Sequence, residues 1–173
     1  PAWACQTGSK LRKVKTSPCY ECYALKGNYK RYPAIKAAQY RRLEAINHPL
    51  WVEAMAAVIK RQKWFRWHDA GDLQSKEHMQ KIIEVCKLTP DTKHWLPTQE
   101  RQYLPDPEDV PENLIIRLSA ARVDGTAGNA WSHSSTVVTD ANPSCPAPTQ
   151  GGQCLDCRAC WNKDIKNVSY GKH

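Results

Sequence analysis

The chain has 173 residues, with 25 lysines and arginines against 17 aspartates and glutamates, a net charge of +8. That length suits one domain with its own core, and no apolar stretch approaches the roughly 18 residues of a membrane helix. The opening Pro1-Ala2-Trp3-Ala4-Cys5 lacks the basic and apolar regions of a signal peptide. A cytosolic protein is therefore expected, and a chain that opens on proline implies residues removed upstream. The positive excess favours an anionic partner, nucleic acid or nucleotide, and no membrane. Its bland reading is solubility, because the cations are spread along helical segments (Lys26, Lys30, Arg31, Lys36, Arg41, Arg42, Lys60, Arg61, Lys63).

In chain order, a cysteine-rich head (1–30) precedes the first strong helical pattern. Pro33 suits the first turn of a helix, and Ala34, Ala37, Ala38, Leu43, Ala45 and Ile46 continue it until Asn47-His48-Pro49 breaks the run. A second helix is predicted from about Leu50 to Gln62, with Trp51, Met55, Val58 and Ile59 on one face. Trp64 to His68 reads as a short strand ending in the loop Asp69-Ala70-Gly71-Asp72. Ser75 then caps a helix carrying Met79, Ile82, Ile83 and Cys86 at helical spacing, ended by Thr89-Pro90. Further strands are predicted at 93–97, 113–119 and 134–139; the β-branched run of the second of these suits burial on both faces.

Strands separated by helices or long connections imply parallel neighbours. The prediction is an α/β fold over 1–173, a partial (β/α) barrel or an open, mostly parallel sheet, with an α/β core (31–140) between the head and a cysteine-rich tail (141–173). In such folds ligands sit beyond the carboxyl ends of the strands. That position singles out His68, Asp69 and Asp72, then Thr98, Gln99 and Arg101, then Ser119 and Arg122.

Eight cysteines would suit a disulfide framework in a secreted protein, but they crowd into Cys-x-x-Cys spacings at the two ends. Two cysteines separated by two residues aim both thiolates at a common centre, which suits metal. The head offers Cys5, Cys19 and Cys22; the tail offers Cys145, Cys154, Cys157 and Cys160. Cys86, on an apolar helical face, reads as packing and is left out. Consecutive Cys-x-x-Cys steps are typical of 4Fe–4S ligation, with zinc as the alternative, and seven thiolates leave one cluster or two open. Three cysteines in the head would leave one iron free for a small molecule, unless a fourth protein ligand closes the site.

Cys19-Tyr20-Glu21-Cys22-Tyr23-Ala24 with Gly27-x-Tyr29, the segment Arg66 to Asp72, the strand Trp95-Leu96-Pro97-Thr98 and the tail Cys154 to Trp161 together resemble the phage gene-product-88-like proteins. These in turn resemble shortened radical S-adenosylmethionine (SAM) barrels. The resemblance implies an iron–sulfur cluster, a partial barrel and the cytoplasm of an infected host, but no reaction. A SAM site would draw on Asp72, Ser119 and Arg122, with His68 and Asp69 as further candidates for catalysis. Against that stand the placing of Cys5 fourteen positions before Cys19, Glu21 in place of an aromatic before Cys22, and His68-Asp69-Ala70-Gly71-Asp72 in place of a glycine-rich methionine grip. The leading expectation is a cluster serving structure, electron transfer or redox sensing. An active radical SAM-type enzyme and a zinc-containing nucleic-acid-binding module are the alternatives.

Overall fold

The computed structural model describes residues 1–172. In chain order it contains α1 (Gln6–Leu11), α2 (Gly27–Arg31), α3 (Pro33–Ala45), α4 (Trp51–Ile59), β1 (Trp64–Arg66), α5 (Lys76–Leu88), β2 (Lys93–Thr98), β3 (Leu114–Ser119), β4 (Ser134–Val138) and β5 (Asn167–Gly171). The strands form one parallel sheet in the order β1-β2-β3-β4-β5, so the chain builds a curled α/β sheet with the topology of half a barrel. Among the described residues no helix is long and apolar enough to cross a membrane.

The middle of the sheet, β2 and β3, is buried on both sides, as its apolar strands require. Leu96 of β2 and Leu114 and Ile116 of β3 face α4 and α5, where Ile59, Met79, Ile82, Ile83, Val85 and Cys86 complete the main core. The alternate residues Trp95 and Ile115 point the other way and pack with Val168 of β5 and Cys160 of the tail. Helix α5 begins where Ser75 Oγ accepts the His78 amide at 3.1 Å, and among the described residues it is the only α-helix between consecutive strands. Beyond β2 the crossovers are short 3-10 turns and irregular chain. The link from β4 to β5 carries the cysteine-rich tail, which packs in the hollow of the sheet where a full barrel would have more strands.

Cys86 is fully buried in the main core, and burial pushes its thiol up to about 12. Cys86→Ala is expected to leave metal content unchanged while costing about 1 kcal/mol in a urea titration. Loss of bound metal in that variant would contradict a packing role.

Candidate metal centre

The head sits on the mouth formed by the carboxyl ends of the strands. Cys5 is the N-cap of α1. One turn on, Gly8 makes room between two thiols: a Cβ there would lie 3.0 Å from Cys5 Cβ, 3.7 Å from Cys5 Sγ and 3.9 Å from Cys19 Sγ. The Cys19 amide donates to Ser17 Oγ at 3.2 Å, fixing the turn that leads to Cys22, the N-cap of a 3-10 turn over Tyr23–Leu25. Burial pushes the Cys5 thiol up to about 12, with the negative charges of Asp72, Cys22 and Cys19 adding to the effect. Cys19 is raised by burial and then by Cys22, with the Ser17 hydrogen bond and Arg12 opposing. Cys5 and Cys19, both raised, become thiolates together only beside a cation, so metal binding here would release protons.

The dock beneath the head is polar. Glu100, fully buried after β2, accepts the Thr7 amide at 2.8 Å and the Thr7 hydroxyl at 2.7 Å. Arg122 Nη1 donates to Thr16 Oγ1 at 2.6 Å, and the Val123 amide donates to the Thr16 carbonyl at 2.7 Å. Tyr23 donates to the Asp69 carbonyl, and Tyr29 to Asp69 Oδ2 at 3.3 Å. Gly71, at φ +93°, lets the Pro1 backbone approach; a Cβ there would lie 2.8 Å from the Pro1 nitrogen.

The structure brings Cys5, Cys19, Cys22 and Asp72 together, but Asp72 is engaged. Its carboxylate accepts from Thr98 Oγ1 (2.6 Å), the Gln99 amide (2.8 Å) and the Leu73 amide (2.8 Å), tying the β1 loop to the end of β2. Burial nevertheless lifts it to about 6. His68 takes a left-handed backbone, φ 57°, and both ring nitrogens are buried without a partner. Ser119 Oγ lies 3.1 Å from Ser135 Oγ, on the β3–β4 seam, and Arg122 is spent on the head. Ser119 and Arg122 therefore each have a structural partner.

The tail forms a second group. Cys145, Cys154, Cys157 and Cys160 line one narrow cleft together with Pro146, Ala147, Ala159, Trp161 and Val168. The Cys157 amide donates to the Cys154 carbonyl at 2.8 Å in a turn whose Leu155 has φ 44°. Cys160 Sγ lies 3.2 Å from Tyr170 Oη on β5, and burial raises both groups. Arg117, fully buried on β3, pins this turn to the sheet through the carbonyls of Cys160 (3.0 Å), Ala159 (2.9 Å) and Asn162 (2.9 Å). Among the described residues no group of three or more His, Cys, Asp or Glu side chains is arranged to hold a single metal ion.

Glu100, Arg117 and Tyr170 escape sequence reasoning. A charge inside the apolar run Leu114-Ile115-Ile116-Arg117-Leu118 is the signal that would have exposed Arg117.

Fold and thiol groups define a small α/β half-barrel with one cysteine set at its mouth and another in its hollow. A family model described as gene product 88 matches residues 2–163, and the chain belongs to that family. No curated protein matches it, and no solved structure does.

Proposed function

We propose that the chain is an iron–sulfur protein of the infected host's cytoplasm, with a cluster on Cys5, Cys19 and Cys22 that serves a redox or structural role. The observation that carries this reading is the approach of the half-buried Cys5 and Cys19 thiols at the Cβ-less Gly8, with Cys22 near enough for its charge to act on both. A zinc ion, with bonds of about 2.3 Å, draws its sulfurs close together, whereas a cluster spreads its ligands over several iron corners and tolerates a wider set. When bound, the cluster would supply electron transfer or a rigid cross-link. The chain's own part is to hold the thiols at the mouth through Glu100 and Thr7 and to bury them. All eight cysteines are free of disulfides, which suits a reducing compartment. The positive excess suits an anionic partner, nucleic acid or nucleotide.

The four tail thiols around one cleft support a second metal centre as a further reading. Protein made anaerobically with ample iron is expected to be brown, with about four iron and four sulfide per cluster. Cys19→Ser or Cys22→Ser is expected to remove the head's share, while Cys154→Ser isolates any contribution of the tail. Colourless protein with stoichiometric zinc and no sulfide would refute the cluster.

A further inference from the structure

Six of the 25 cations and none of the 17 acids fall between Glu21 and Glu44, so this segment carries most of the net +8. All six, Lys26, Lys30, Arg31, Lys36, Arg41 and Arg42, are exposed. Among the described residues the one ion pair here is Lys26 to Glu21 at 3.7 Å, with both side chains well solvated. The exposed large aromatics gather on the same segment and its approach: Tyr20 (45 %), Tyr23 (59 %), Tyr32 (48 %) and Tyr40 (44 %). No tryptophan or phenylalanine is exposed to that degree among the described residues.

Cations alone make a soluble surface, and tyrosines alone fill core edges. Their interleaving is what calls for a partner. Helix α3 turns Ile35, Gln39, Leu43 and Ile46 toward the protein. Tyr32 is the N-cap of α3, and Lys36 and Tyr40 follow it at i+4 and i+8, ring, ammonium, ring; within the helix Lys36 and Tyr40 lie on one face with about 5–6 Å between Cβ atoms. Trp3 backs the Tyr40 ring at 5.1 Å, bracing it without covering it. Tyr23 leans edge-on against Tyr29 at 5.9 Å.

We infer that the α2–α3 face is a binding surface for single-stranded nucleic acid. Its cations follow the phosphates and its tyrosines stack unpaired bases. A duplex keeps its bases stacked on one another and offers the rings nothing, so the tyrosines select the single strand over other polyanions. This inference rests on the anionic-partner part of the proposed function and not on the cluster.

The test is fluorescence anisotropy of a labelled short oligodeoxythymidine with the full chain over a salt series. Tyr32→Ala with Tyr40→Ala is expected to weaken binding at least about tenfold at fixed salt and to leave the salt slope unchanged. Lys36→Gln with Arg41→Gln is expected to lower that slope by about 0.7 per cation removed. All four positions are exposed, and circular dichroism with metal analysis of each variant verifies fold and cluster. Absence of binding by the parent at low salt overturns the inference. So does equal binding of duplex or heparin with no effect of the tyrosine pair, which would mark a general polyanion or acidic-protein surface. Colourless protein that still binds the oligonucleotide would sink the cluster alone, and brown protein that does not bind would sink this surface alone.

Discussion

Arg117→Ala is expected to cost about 3–5 kcal/mol, the scale for disrupting a buried charged network. For a chain of this length that lowers the melting temperature by roughly 6–20 °C. The guanidinium is fully buried in the middle of β3. Besides the tail carbonyls, it lies 3.3 Å from the Ser134 carbonyl and 3.5 Å from the Lys166 carbonyl. Every partner is a backbone oxygen, so its charge is balanced by dipoles. Truncation strands several carbonyls at once, each worth about 1–3 kcal/mol if left unsatisfied. Methionine removes the desolvation cost along with the charge but cannot donate, so Arg117→Met should recover part of the loss and lysine little of it. The damage should be local first, with the tail cleaved by trypsin at Arg158 or Lys163 before the sheet unfolds. An unchanged melting temperature and an uncut tail would show that the turn is held by its apolar contacts with Trp95, Ile115 and Val168.

The same residue marks where sequence reading ends. β1 to β4 are legible because each has an apolar or β-branched run long enough to show its burial. The helices at Pro33, Trp51 and Lys76 carry a proline, an apolar face or a serine cap. β5 escapes because Asn167-Val168-Ser169-Tyr170-Gly171 has no such run, and its strand character comes from its register on β4, Ser134 to Asn167 through Val138 to Gly171. α1 escapes because Gly8 in its middle argues against a helix. That glycine is there for the thiols of Cys5 and Cys19, which also explains how a cysteine fourteen positions upstream joins a Cys-x-x-Cys pair. Grouping cysteines by spacing recovers the head pair and the tail run. It cannot recover Glu100, whose burial depends on a threonine 93 residues away.

Acid is expected to unfold the protein steeply between pH 6 and 4, through three histidines held neutral. Burial lowers His78 and His94 to about 4 and His68 to about 3, from the ordinary value near 6.5. His94 shows why. Thr89 Oγ1 donates its proton to the Val85 carbonyl at 2.7 Å and so accepts from His94 Nε2 at 2.9 Å, leaving Nδ1 as the unprotonated nitrogen. Nδ1 is buried with no partner, and Trp67 stacks on the ring at 5.9 Å, so an added proton would meet no acceptor. The native state therefore binds fewer protons than the unfolded chain below pH 6.5, and stability falls as pH falls through that window. Each histidine contributes up to about 1.4 kcal/mol per pH unit. Asp72, lifted to about 6, works the other way: its native form holds an extra proton between pH 6 and 4, which offsets about one histidine. The net slope is near two protons, about 3 kcal/mol per pH unit, enough to exhaust an ordinary stability of 5–15 kcal/mol within a few units. Urea titrations at pH 7, 6 and 5, followed by tryptophan fluorescence, measure the slope directly. His94→Gln keeps a donor for Thr89 and should flatten the slope by one proton. A stability that stays level from pH 7 to 5, or a variant with the parent's slope, would mean that the buried rings accept protons in the folded state.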